Sequence, residues 1–104
     1  MNDDAYKISV LIREGNEDRM MDAIDRVCDP FYPGYRRAFS IVRTTSATVS
    51  DDGVRTDEQM LTLEFIVREK DLRAAIGAIV ENSDEEPSID IMPDIGWKSM
   101  VCKN

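Results

Sequence analysis

Two kinds of periodicity alternate along the chain, and their order constrains the fold more than any other feature. Tyr6 to Ile12 (Y-K-I-S-V-L-I) puts Ile8, Val10 and Ile12 on one side and Lys7, Ser9 and Leu11 on the other, the period-two pattern of a half-buried strand. Gly15-Asn16 breaks that strand. Asn16 is placed to cap a helix, Glu17 and Asp18 suit the positive end of its dipole, and Met20, Ile24, Val27 and Cys28 form its apolar stripe. The helix should end before Pro30, because the residue preceding a proline avoids helical angles. Phe39 to Ser50 is rich in β-branched residues and predicts a second strand, and Asp52-Gly53 is a hairpin signal. Gln59 to Arg68 alternates at Leu61, Leu63, Phe65 and Val67 and predicts a third strand. The segment between them, Ser50 to Glu58, is polar and acidic and reads as a protruding loop. Leu72, Ala75, Ile76, Ile79 and Val80 follow the i, i+3, i+4, i+7, i+8 spacing of a core-facing helix, with Asn82 and Ser83 as its stop. Ser88 to Met92 alternates again and predicts a fourth strand.

The resulting order is β-α-β-β-α-β. Two split units of this kind build a four-stranded antiparallel sheet with both helices on one face, a ferredoxin-like α+β architecture. At 104 residues the chain has the length of one such domain. The helix-covered face should hold Ile8, Val10, Leu61, Leu63, Phe65, Ile89 and Ile91, joined by Phe39 and Ile41. The opposite face carries Leu11, Val42, Ile66 and Met92 among Ser9, Ser40, Thr44, Thr62, Glu64 and Asp90. Apolar residues gathered on a nominally wet face predict a contact surface between copies. Trp97, with Met100 and Val101 in the C-terminal tail, is expected to add to that contact.

Composition closes several functional classes. There is no histidine, so the commonest general base near neutral pH, Ser-His and Cys-His nucleophile pairs and imidazole zinc sites are all excluded. Lys plus Arg is 13 against 21 Asp plus Glu, a formal charge of −8, which argues against a nucleic-acid partner. No apolar run is long enough to span a membrane. The N-terminal Met1-Asn2-Asp3-Asp4 reads as neither a secretory signal nor a transit peptide, so a cytoplasmic protein is expected. Cys28 and Cys102 have neither metal-type nor disulfide-framework spacing and read as two reduced thiols. Tyr35 beside an arginine lacks a second catalytic partner, so no enzymatic activity is expected. A small ferredoxin-like isomerase or monooxygenase would need an apolar cavity between sheet and helices.

Two side-chain sets are candidates for binding. Arg36 and Arg37 follow an aromatic connection in which Phe31, Tyr32 and Tyr35 are too apolar for a solvated loop. With Arg43, Arg68 and Lys70 they could converge on a small anionic metabolite, since arginine matches carboxylate and phosphate bidentately. Their other reading is neutralisation of an acidic surface. Glu85, Glu86 and Asp90, with Asp84 and Asp94 nearby, could hold a hard cation such as Mg²⁺ or Ca²⁺ through oxygen ligands. A solvated acidic turn is the alternative.

The segment Asp57 to Pro93 resembles the GlnB-like superfamily, especially the CutA-type divalent-cation-tolerance proteins and the small domain inserted in NGG-interacting-factor proteins. Both place a helix before an H-P-Y-E-x-P motif that leads into the last strand. Here that stretch reads Asn82-Ser83-Asp84-Glu85-Glu86-Pro87, keeping Glu85 and Pro87 and losing the histidine and tyrosine. The long effector loop of PII signalling proteins is absent. The resemblance implies a ferredoxin-like homotrimer packed through its open sheet face. It implies a non-enzymatic binding or regulatory role, with a ligand or protein partner at the subunit clefts and the 50–58 loop. Its CutA branch implies divalent-cation binding as the alternative, and no other cofactor.

Overall fold

The computed structural model describes residues 4–31, 34 and 37–94. Strands β1 (Ala5–Arg13), β2 (Ser40–Val49), β3 (Arg55–Arg68) and β4 (Ser88–Pro93) alternate with helices α1 (Glu17–Val27) and α2 (Leu72–Glu81) in the order β1-α1-β2-β3-α2-β4. A 3-10 turn over Glu69–Asp71 leads into α2. The sheet is antiparallel throughout and runs β2-β3-β1-β4. This is the ferredoxin-like α+β fold that the periodicities predict.

The alternation does the sorting. Ile8, Val10 and Ile12 of β1 stand opposite Phe65, Leu63 and Leu61 of β3. Met20 and Ile24 of α1 and Ala75 and Ile79 of α2 close over them, and all are buried. Removing a side chain of that size from water is worth roughly 1.5–3 kcal/mol. Phe39, just ahead of β2, tilts against Phe65 with ring centroids 5.4 Å apart.

The core ends where the helices end. Ile41 and Ile91 lie on the helix side of the sheet, opposite Leu63 and Ile8, yet they are 45% and 40% exposed. They sit on the edge strands β2 and β4, outside the footprint of two helices centred on β1 and β3. Their expected burial is therefore corrected. Val27 and Val80, at the last turns of their helices, are also exposed.

A second departure concerns residues 50–58. β3 begins at Arg55 rather than Gln59, and the connection shrinks to a turn over residues 50–54. Pairs from Thr45↔Gln59 to Val49↔Arg55 run beyond the last β1–β3 pair, Arg13↔Met60. A two-stranded ribbon therefore projects about 17 Å past the sheet, at ~3.4 Å per residue. Ser50 and Val54 close its tip through Ser50 N–H to the Val54 carbonyl (2.9 Å) and Val54 N–H to Ser50 Oγ (3.2 Å). Gly53, at φ +83°, takes the left-handed conformation this turn requires.

Local polar contacts fix the element ends. Asn16 precedes α1 but makes no capping bond; its Nδ2 instead reaches the Asn82 carbonyl at 3.5 Å. Asn82 Nδ2 and Ser83 Oγ donate to the Ala78 (2.8 Å) and Ile79 (2.6 Å) carbonyls, closing α2 as expected. At the other end of the sheet, Asp94 N–H donates to the Ala5 carbonyl and Glu69 N–H to that of Asp4, each at 2.9 Å. Cys28 is a buried free thiol. Tyr32, Tyr35 and Cys102 lie outside the described residues.

Candidate functional site

The face of the sheet turned away from the helices is a set of rows crossing the strands. Val42, Thr62, Leu11 and Ser88 form one row; Ile66, Lys7 and Met92 form another. Between them runs a polar row, Ser40, Glu64, Ser9 and Asp90, in which Ser9 Oγ donates to Glu64 Oε2 at 2.8 Å. Lys7 Nζ lies 3.5 Å from the same carboxylate. Val42 and Met92 are 50% and 58% exposed, Leu11 is exposed, and Ile66 is half-buried. Four of the five expected contact residues thus share the face opposite the helices, which no other described element covers, while Trp97 lies outside the described residues.

At the base of the ribbon the sheet is stepped. β4 starts at Ser88, opposite Leu11; β1 continues to Arg13; β3 runs on alone with β2. Residues 83–87 fold beside this step and leave a cleft of about 180 Å³. Leu11, Met60 and Pro87 supply apolar lining; Arg13, Asn16, Ser83, Asp84, Glu85 and Glu86 supply polar lining. Arg13 donates to Glu85, and its Nε also lies 3.7 Å from Glu58 on the ribbon. Arg19, on α1, donates to the Asn82 carbonyl at 2.8 Å and lies 3.9 Å from Asp84, tying the loop to the helix.

The carboxylates expected to share a metal are divided. Glu85 and Glu86 line the cleft, but Asp90 stands on the open face opposite Ser9. Among the described residues no group of three His, Cys, Asp or Glu is close enough to hold a metal ion. β4 starts at Ser88 and carries Asp90 onto the open face, away from Glu85 and Glu86 in the loop before it, so the expected three-residue cation site is not assembled among the described residues.

The basic set is also divided. Arg37, Arg68 and Lys70 meet at the far end of the sheet, and Arg43 does not join them. Its side chain pairs with Glu14 in the open. Arg36 lies outside the described residues. The Arg37 side chain is only 3% exposed, and each of its three guanidinium nitrogens donates a hydrogen bond. Its Nε donates to the Ile66 carbonyl (2.8 Å), Nη2 to the Asp29 carbonyl (2.7 Å) and Nη1 to Asp25 (3.3 Å). β2 begins at Ser40, opposite Glu64, so the Arg37 side chain occupies the carbonyl that β2 leaves unpaired beyond its start. Arg68 stacks on Phe31 at 4.9 Å from the ring centroid and donates to the Phe31 carbonyl at 3.3 Å. Arg37 lies on the same ring at 5.9 Å. Lys70 pairs with Asp29. That hydrogen bond and charge hold the Asp29 carboxyl below its ordinary range and raise Lys70. Buried Asp71 accepts the Asp29 N–H at 3.0 Å. Burial pushes the neighbouring Cys28 thiol up to about 11, against the opposing charge of Arg37. These groups hold the connection after α1 onto β3 and have few free hydrogen-bonding positions for a ligand.

Sequence reading passed over Arg13, Asn16 and Met60, which the cleft uses. Arg13 looks like an ordinary strand terminus, and only the register of β1 on β3 brings it beside Met60. The signal that pointed to the place was the Glu85-Glu86-Pro87 motif.

No protein-family model matches the sequence, and no curated protein matches it. Solved structures do match. A Bacillus cereus protein related to NIF3 superposes with a TM-score of 0.75 at 18% identity, covering 89% of this chain and 26% of that one. The two share a fold. CutA from Synechococcus elongatus follows, with a TM-score of 0.68 at 12% identity over 94% of this chain and 87% of that one. Bacillus subtilis GlnK, solved as its ATP complex, gives 0.63 at 12% identity over 90% and 84%. The chain thus spans about a quarter of the NIF3-related protein and most of the other two. These identities carry the architecture alone, and at that level they agree with the resemblance read from Asp57 to Pro93.

Proposed function

We propose that this chain is a non-enzymatic binding and regulatory domain that works as a ring of three copies, holding a small ligand in the cleft at the ribbon base. The observation that carries this reading is the adjacency of that cleft to the uncovered apolar row: Leu11 belongs to both. Covering the open face with a second copy would remove Val42, Leu11, Ile66 and Met92 from water and turn the cleft into a subunit boundary. The ribbon supports the same reading, because an isolated two-stranded hairpin is marginal in water and gains by packing on a neighbour. The outer edges of β2 and β4 carry no neighbouring strand among the described residues. They lie on opposite sides of the sheet, which suits head-to-tail closure into a ring. That one structural neighbour was solved with ATP supports small-molecule binding in general, without naming the ligand.

Native mass spectrometry tests the assembly. The expected mass is three times that of the chain, and Leu11→Asp with Val42→Asp should reduce it to one chain while the far-ultraviolet spectrum stays unchanged. A wild-type monomer overturns the reading. Calorimetric titration with Mg²⁺, Ca²⁺, Cu²⁺ and Zn²⁺ checks the divalent-cation alternative, for which the separated carboxylates offer no preformed site.

A further inference from the structure

The cleft at the ribbon base combines three things: an apolar side, a carboxylate rim and a single replaceable cation. Its volume of about 180 Å³ falls below the roughly 300–1,000 Å³ of ordinary ligand pockets, which suits one small group. Asp84, Glu85 and Glu86 line the cleft with Arg13, while Arg19 stands beside Asp84 and Glu58 beside Arg13; four carboxylates against two guanidiniums leave a net charge of −2. These groups crowd one small cleft on a chain of charge −8, inside a Debye length of ~8 Å, where salt screens them only partly. A phosphate or polycarboxylate entering here would meet repulsion.

Arg13 is the replaceable cation. It has two acceptors on opposite sides, Glu85 in the loop and Glu58 on the ribbon, and more than half of each of the three side chains is exposed. Exposed pairs of this kind are worth at most about 1 kcal/mol. A competing cation can therefore take Glu85 and leave Arg13 on Glu58. Asp84 is steadied separately by Arg19, so the loop keeps its place when Arg13 moves off.

We infer that this cleft takes a small organic cation, an ammonium or guanidinium group on a short apolar stem, with the charged head on Glu85 and Glu86 and the stem against Leu11, Met60 and Pro87. The inference rests on the reading of this cleft as the ligand site and specifies its ligand class. It gives Arg13 the role of a competitor, opposite to the role it would have toward an anion.

The test is calorimetry on the full chain with putrescine and arginine methyl ester as cationic probes and citrate and ATP as anionic ones. The cationic probes should bind. Arg13→Gln should tighten them about threefold, the release of one exposed pair. Glu85→Gln with Glu86→Gln should weaken them by at least about tenfold, as loss of a charge-assisted hydrogen bond does. All three side chains are exposed, so the variants should fold, and circular dichroism checks this. If citrate or ATP binds instead, and Arg13→Gln abolishes it, the cation inference is overturned while the cleft remains a ligand site. If no probe binds to any variant, the cleft reading and the inference fall together, and the assembly still stands or falls on its own mass measurement.

Discussion

Arg37 and Arg13 each face carboxylates, at opposite ends of the sheet, and differ in almost everything else. The Arg37 side chain is 3% exposed and that of Arg13 is 59% exposed. Arg37 donates from all three nitrogens to fixed partners, two of them backbone carbonyls, and through the Ile66 carbonyl it extends the hydrogen bonding of β3 past the point where β2 starts. Arg13 has only carboxylate partners, and more of them than it can satisfy well at once. The difference lies in desolvation. A buried guanidinium held at all three of its nitrogens is part of the fold, because losing it strands its acceptors. An exposed guanidinium between two acceptors costs little to redirect, and that freedom makes it suitable at a ligand site.

The comparison can be broken most directly at Arg37. Arg37→Met should destabilise the protein by about 3 kcal/mol in urea unfolding, because Asp25 and two carbonyls lose their donor in a buried setting. A loss below about 1 kcal/mol would mean that the two ends are not so different. Asp71→Ala should cost less, about 1–2 kcal/mol, by leaving the Asp29 N–H without its acceptor. Arg13→Gln should fall within about 0.5 kcal/mol of wild type in the same assay, as surface changes usually do.

The Asp29–Lys70 pair sharpens the comparison from the pH side. The Asp29 carboxyl titrates below its ordinary value in the folded chain, so its contribution to stability is present above about 3.8 and disappears as the pH falls through the lowered value. Melting temperatures between pH 2 and 5 should therefore drop more steeply in wild type than in Asp29→Asn. The smallest effect expected is chemical. With its thiol pushed up to about 11, Cys28 should resist alkylation at pH 8 until the protein is unfolded.

Much of the fold was legible because one rule governed it. Period-two alternation placed Ile8, Val10, Leu61, Leu63 and Phe65 under the helices, and the 3.6 period placed Met20, Ile24, Ala75 and Ile79 over them. The rule assigns a face but says nothing about how far the covering layer reaches. Ile41 and Ile91 took the predicted face and remained exposed, since two helices cover two strands well and four poorly. The second strand of the ribbon was misread because its polar residues suggested a loop, while Arg55, Thr56, Asp57 and Glu58 were free to pair with β2 where no core demanded an apolar side.

The candidate site was less legible, for a related reason. Sequence proximity grouped Glu85, Glu86 and Asp90, but a strand start separates them by sending Asp90 to the open face. Sequence distance separated Arg13 from Glu58 and Glu85, and strand register unites them. Arg37 was grouped by residue type with arginines expected to bind a ligand, and its burial and three hydrogen bonds tie it to the fold instead.

The pairing of Tyr6 with Pro93, backed by the bond from Asp94 to Ala5, has a mechanical consequence. The described chain enters the sheet and leaves it on adjacent strands at the same end. Tension applied between those two points would load the β1–β4 ladder one rung at a time rather than all rungs together. β4 would peel from β1 at low force, and its departure would uncover Ile89 and dismantle the step that shapes the cleft while β1, β2 and β3 were still joined.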